Sequence, residues 1–140
     1  MTIERETFRD DVIASMMADG WNGRGPWYFK DPKILICREY FLRFFPDAKW
    51  VYVFRSSDAT LRSIDNASFM SAYDSEIEWV QYLHKYDRWW LEVMMRAKNS
   101  MIFDMDNLIK RDEGKLSELF HFCGLGGIPD FDHIDMTQWR

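Results

Sequence analysis

Trp50-Val51-Tyr52-Val53-Phe54-Arg55-Ser56-Ser57 is the stretch that decides the fold. Five successive apolar, β-prone residues without alternation suit a strand covered on both faces, as in the centre of a parallel sheet. Arg55 stands at its carboxyl end. Ser56 and Ser57 can cap a helix that runs through Leu61 and Ile64 to about Asn66. A strand, a tight turn and a helix N-terminus in that order form a place where α/β proteins bind phosphates.

Working upstream, Ile34, Leu35, Tyr40, Phe41, Phe44 and Phe45 mark one face of a helix that Pro46 ends. Before it, residues 27–30 form a short aromatic run that reads as a strand stopped by Pro32. A first helix spans residues 4–18, with Phe8, Val12, Ile13, Met16 and Met17 at helical spacing, and breaks at Gly20. Downstream, Ser75 and Glu78 form a capping box ahead of a long helix, about residues 76–97. Its stripe of Trp79, Leu83, Tyr86, Trp90 and Met94 reads as core. Residues 100–104 read as another short strand, followed by a turn of helix capped by Asp106. A last helix, about 113–123, closes at Gly124. Strands alternating with helices predict an α/β layered domain with right-handed crossovers.

Composition bounds the rest. With 140 residues, 47% of them hydrophobic and 17% aromatic, the chain can bury one core, and a single domain over 1–140 is expected. The formal net charge of −5 excludes a broad nucleic-acid or anionic-membrane surface, so an anionic ligand needs a local basic pocket. Residues 1–11 lack the apolar core of a signal peptide, and no apolar run approaches the roughly 20 residues of a membrane span. Cys37 and Cys123 lie far apart, with no CxxC pair and no histidine cluster at zinc spacing. A reduced cytoplasmic protein without a metal is the expectation. His84 and His121 read as packing or surface residues of helices.

Three segments together carry more. They are Trp27-Tyr28-Phe29-Lys30-Asp31-Pro32-Lys33, then residues 45–55 running on to Ser63, then residues 102–108 followed by Phe120-His121-Phe122-Cys123-Gly124-Leu125. In that order they resemble the sulfotransferase family, particularly its bacterial and tyrosylprotein-type branches. The family shows a Lys-x-Pro strand end, a Phe-Pro-x-Ala-Lys lead into a strand ending in Arg, and a Ser eight positions beyond that Arg. Arg55 and Ser63 keep that spacing. A residue eight positions past the strand end lies about two turns into the following helix, where it can face the same anion as the arginine.

The resemblance implies a three-layer, P-loop-NTPase-like fold with a short, partial parallel sheet flanked by helices. It covers residues 27–125, with residues 1–26 as a leading helix and loop and residues 126–140 as an irregular tail. It implies transfer of a sulfuryl group from 3′-phosphoadenosine 5′-phosphosulfate to a hydroxyl or amine acceptor. Arg55 and Ser63 then hold the 3′-phosphate, since guanidinium and hydroxyl donors suit a phosphate monoester. Lys30 either neutralises the bridging oxygen of the donor or is a solvated strand-end lysine. Asp31 is either a general base or, as favoured, a helix cap.

The stretch Asp104-Met105-Asp106-Asn107-Leu108 is similar to a late family motif, Tyr-Glu-Asp-Leu, with Met105 in the tyrosine's place, and takes no assigned role. The family's Gly-rich loop for the 5′-phosphosulfate has no counterpart, because the glycines of residues 20–25 precede a strand. The expectation is therefore a fragment or part of a larger enzyme. A second copy or a second polypeptide is expected to complete the sheet. The rival expectations are a non-catalytic binding or interaction module on the same fold, and another nucleotide-dependent transferase that shares the fold alone.

Overall fold

The apolar run forms strand β1, Lys49–Phe54, which pairs in parallel with β2, Asn99–Asp104. The register sets Lys49 opposite Asn99 and Phe54 opposite Asp104, so both strands finish at the same level. The structure is a computed structural model that describes residues 7–31, 33–67 and 75–127. The chain divides into two units, Met1–Ala48 and Lys49–Arg140.

In the second unit, β1 leads into helix α3, Ser57–Asp65, and then α4, Glu76–Arg96, which returns the chain to β2. Ser75 caps α4 as its sequence requires, with its hydroxyl oxygen accepting from the Glu78 amide and its hydroxyl donating to the Glu78 carboxylate. Trp90 of α4 lies stacked on Tyr52 at 4.8 Å between ring centres and meets Trp50 edge-on at 5.9 Å. Alternate strand residues share a face, so α4 covers the Trp50 and Tyr52 face of β1. Lys49 begins the opposite face, where its ammonium lies 5.8 Å from the Phe122 ring of the last helix.

After β2 come α5, Asp106–Ile109, and that last helix, α6, Glu113–Cys123. The Asp106 turn is headed by Asp104, whose carboxylate accepts from the Asp106 amide at 2.9 Å. Asp106 is thus the first helical residue and not the cap. Gly124 ends α6 at φ 72°, with the Leu125 amide reaching back to the Phe120 carbonyl. That left-handed position is the one a glycine takes without penalty. The buried side chains of this unit are Trp50, Ile64, Trp79, Trp90, Val93, Phe103 and Leu116.

The strand and α4 share one further tie. The Tyr52 hydroxyl donates to Asp87 at 2.6 Å. Burial first, and the Asp87 carboxylate second, hold the phenol well above its ordinary value of 10.0. A raised pKa in the folded state means that this contribution to stability is complete below pH 10 and is lost as pH rises further. Tyr52→Phe is therefore expected to destabilise the chain by about 1–3 kcal/mol at pH 8, since it strands a half-buried carboxylate. Urea unfolding of both proteins from pH 8 to 11 should show the gap narrowing only above pH 10.

The first unit is an aromatic cluster on helices. Helix α1, Phe8–Ala18, contributes Phe8, which lies within 5.9 Å of the rings of Tyr40, Phe41 and Phe44. Those three belong to α2, Arg38–Phe44, preceded by a tighter 3-10 turn at Ile34–Cys37. The helix expected over 34–45 is thus α-helical only from Arg38, and Phe45 lies just past its end. Residues 27–30 are not a strand. Trp27 packs edge-on against Phe45 at 5.6 Å and Phe29 against Phe41 at 5.5 Å, while Tyr28 between them stays 90% exposed. The aromatic side chains that raise β-propensity here clasp a helix surface instead of a neighbouring strand. Among the described residues the sheet accordingly has two strands. The expected stop at Pro32, the first three residues of the predicted leading helix and the tail from residue 128 lie outside the described residues.

Candidate functional site

Arg55 follows the last residue of β1 and is half-buried, with its Nε atom shielded from solvent. The chain then turns at once into α3. Ser56 caps that helix, its hydroxyl oxygen accepting from the Ala59 amide at 3.3 Å and its carbonyl from the Thr60 hydroxyl at 3.0 Å. The strand-arginine-helix arrangement read from the sequence is therefore present. Ligands of open α/β sheets bind at the carboxyl ends of parallel strands, and Arg55 occupies one such end.

The parallel register brings to this edge a second group, from the Asp104–Leu108 stretch that the sequence reading left without a role. Asp104 stands opposite Phe54, and the next residue, Met105, donates its amide to the Phe54 carbonyl at 2.9 Å. A carboxylate at the same sheet end opposes an anion, but Asp104 is turned into its own loop through the Asp106 amide. Only knowledge of the β1–β2 register could have revealed that neighbour. Ser63 lies on the exposed side of α3, next to the buried Ile64 that anchors the helix.

The N-terminus of α3 is not itself an anion cradle. Ser56 fills one of its amides, and Asp58 already places a negative charge in the first turn. Ser63 is seven residues beyond the cap, about 10 Å along the axis.

Lys30 and Asp31 belong to the first unit. Lys30 is exposed in irregular chain. The Asp31 carboxylate accepts from the Lys33 amide at 2.7 Å and its carbonyl from the Ile34 amide at 3.1 Å, so the residue shapes the entry to the 3-10 turn. Cys37 and Cys123 are both free thiols. Among the described residues no group of His, Cys, Asp and Glu is arranged to hold a metal ion, and no helix is long and apolar enough to cross a membrane.

Neither a curated protein nor a solved structure gives a significant match to the chain. The family model described as the sulfotransferase family matches residues 2–130, which takes in both units, the strand-arginine-helix segment and the Asp104 edge; the chain belongs to the sulfotransferase family.

Proposed function

We propose that the chain transfers a sulfuryl group from 3′-phosphoadenosine 5′-phosphosulfate to a hydroxyl or amine acceptor, acting as part of a larger enzyme. The observation that carries the reading is Arg55 at the carboxyl end of β1, directly before the capped helix α3. Arg55 and Ser63 hold the donor's 3′-phosphate, and the Gly-rich loop for its 5′-phosphosulfate comes from a further segment or polypeptide. In the transfer the acceptor oxygen or nitrogen bonds to sulfur as the bond from sulfur to the bridging oxygen breaks. Adenosine 3′,5′-bisphosphate leaves. Lys30 and Asp31 stand in the other unit, Lys30 exposed and the Asp31 carboxylate engaged by the Lys33 amide, and take no part in this step; the acceptor's proton passes to solvent.

A three-layer, P-loop-like fold is supported by α4 on one face of β1 and by the contact of Lys49, at the head of the other face, with α6. The two free thiols fit a reducing cytoplasm. The rival reading is a nucleotide-binding module without catalysis, favoured by the lack of a Gly-rich strand-to-helix loop for the transferring group in the sequence.

Calorimetric titration separates the readings. Adenosine 3′,5′-bisphosphate is expected to bind, and adenosine 5′-monophosphate to bind more weakly by about tenfold or more, the worth of one charge-assisted phosphate contact. Equal affinities for the two nucleotides refute the 3′-phosphate site. Binding that never leads to sulfate transfer, even with the sulfotransferase Gly-rich segment supplied, selects the non-catalytic module.

A further inference from the structure

Helix α4 turns one face inward through Trp79, Trp90 and Val93 and leaves Ile77, Leu91 and Met95 at 70, 59 and 87% exposure. At 100° per residue these three fall within about 40° of one line down the helix, and Ile77 and Met95 sit about 27 Å apart near its two ends. Two separated apolar ends on one line fit a partner that runs the length of the helix.

The charges beside that line say which partner. Glu78, Lys85, Glu92 and Arg96 are all exposed and lie within about 40° of one another on a single flank. Read along the helix, their signs are negative, positive, negative, positive. Read backwards, every sign is opposite to the one it meets. A second helix with this sequence, laid antiparallel, presents Arg96 to Glu78 and Glu92 to Lys85, and symmetry makes each pairing twice. The same alignment sets Ile77 of one copy on Met95 of the other. All of these pairings centre between residues 86 and 89, within about one helical turn of each other. A parallel two-fold pairing instead turns this flank toward the partner's opposite flank, where Glu76 and Asp87 stand and no basic residue answers Glu78 or Glu92.

We propose that the exposed face of α4 is the surface through which two copies of this chain associate, as an antiparallel two-fold pair. The second copy expected at the sheet edge is thus placed on a helix. Gln81, His84 and Arg88 occupy the middle of the face, and Arg88 of one copy comes up against Arg88 of the other near the two-fold axis, which opposes the flank pairings and keeps the contact modest in strength. An isologous contact of this kind closes on itself and stops at two copies.

Sedimentation equilibrium of the full chain tests the pairing. Dimer is expected to dominate at about 100 μM protein and to weaken in high salt. Lys85→Glu and Glu92→Lys each convert two attractions into two repulsions, and each is expected to weaken association by about tenfold. The double variant Lys85→Glu/Glu92→Lys restores the complementary pattern and should return to within about threefold of the original. Circular dichroism verifies that every variant keeps its helix. A chain that stays monomeric throughout, a dimer indifferent to either single reversal, or a double variant no better than the singles overturns the proposal.

Discussion

Arg55→Ala lowers the affinity for adenosine 3′,5′-bisphosphate by about tenfold to about 150-fold, the range set by one charge-assisted hydrogen-bonding group at about 1.5–3 kcal/mol. Affinity for adenosine 5′-monophosphate stays within about twofold, because that ligand has no 3′-phosphate for the guanidinium to grip. The contrast between ligands separates a lost contact from a damaged fold. Arg55 is half-buried and its Nε is shielded from solvent, so truncation also costs stability, and thermal unfolding must be followed beside the titration. Arg55→Lys keeps the charge and loses the planar fork, which places it between the parent and alanine. Ser63→Ala removes a neutral hydroxyl worth about 0.5–1.5 kcal/mol, a loss of about tenfold at most. If Arg55→Ala weakens both nucleotides equally, the arginine supports the fold and does not read the 3′-phosphate.

The order of those effects follows from where the site sits. A helix N-terminus that was open and free of acidic residues could carry much of an anion's binding through its amides. Here Ser56 already fills one amide and Asp58 offsets the dipole of α3, so under the proposed function the arginine at the strand end carries a larger share. The Asp104 carboxylate at the neighbouring strand end sharpens the point. Any movement of Asp104 out of its turn toward the bound anion raises the cost of binding, and the Asp106 amide is the group that restrains it.

Residues 50–54 were legible as a buried strand because a strand covered on both faces shows an unbroken apolar run. Ser75 with Glu78, and Gly124, were legible because caps are local chemistry, decided within four residues. Residues 27–30 were misread for the opposite reason. Aromatic side chains favour any half-buried surface, and whether that surface is a strand or a helix is settled by Phe41 and Phe45, which the local pattern does not weigh. The Arg55 end of the site could be read because strand, turn and cap are consecutive. Asp104 and the Tyr52–Asp87 bond could not, since they depend on pairings between residues 50 and 35 positions apart.

The largest loss of stability is expected from Trp90→Ala. Trp90 is 6% exposed and sits against both Trp50 and Tyr52, so its removal uncouples α4 from the decisive strand. Truncating a buried tryptophan costs about 3–5 kcal/mol, against a total stability of about 5–15 kcal/mol for a domain. One term works the other way. The Trp90 indole N–H is buried without a hydrogen-bond partner among the described residues, and an orphaned donor costs about 1–3 kcal/mol, which alanine relieves. The net expectation is about 0–4 kcal/mol with its middle at about 2 kcal/mol, read as a lower urea midpoint at unchanged slope. Trp90→Phe keeps a ring against Tyr52 and also removes the orphaned donor, so its cost should stay below about 1.5 kcal/mol. If the two variants unfold at the same midpoint, ring packing on β1 does not hold α4 in place, and the Tyr52–Asp87 bond becomes the principal tie between them.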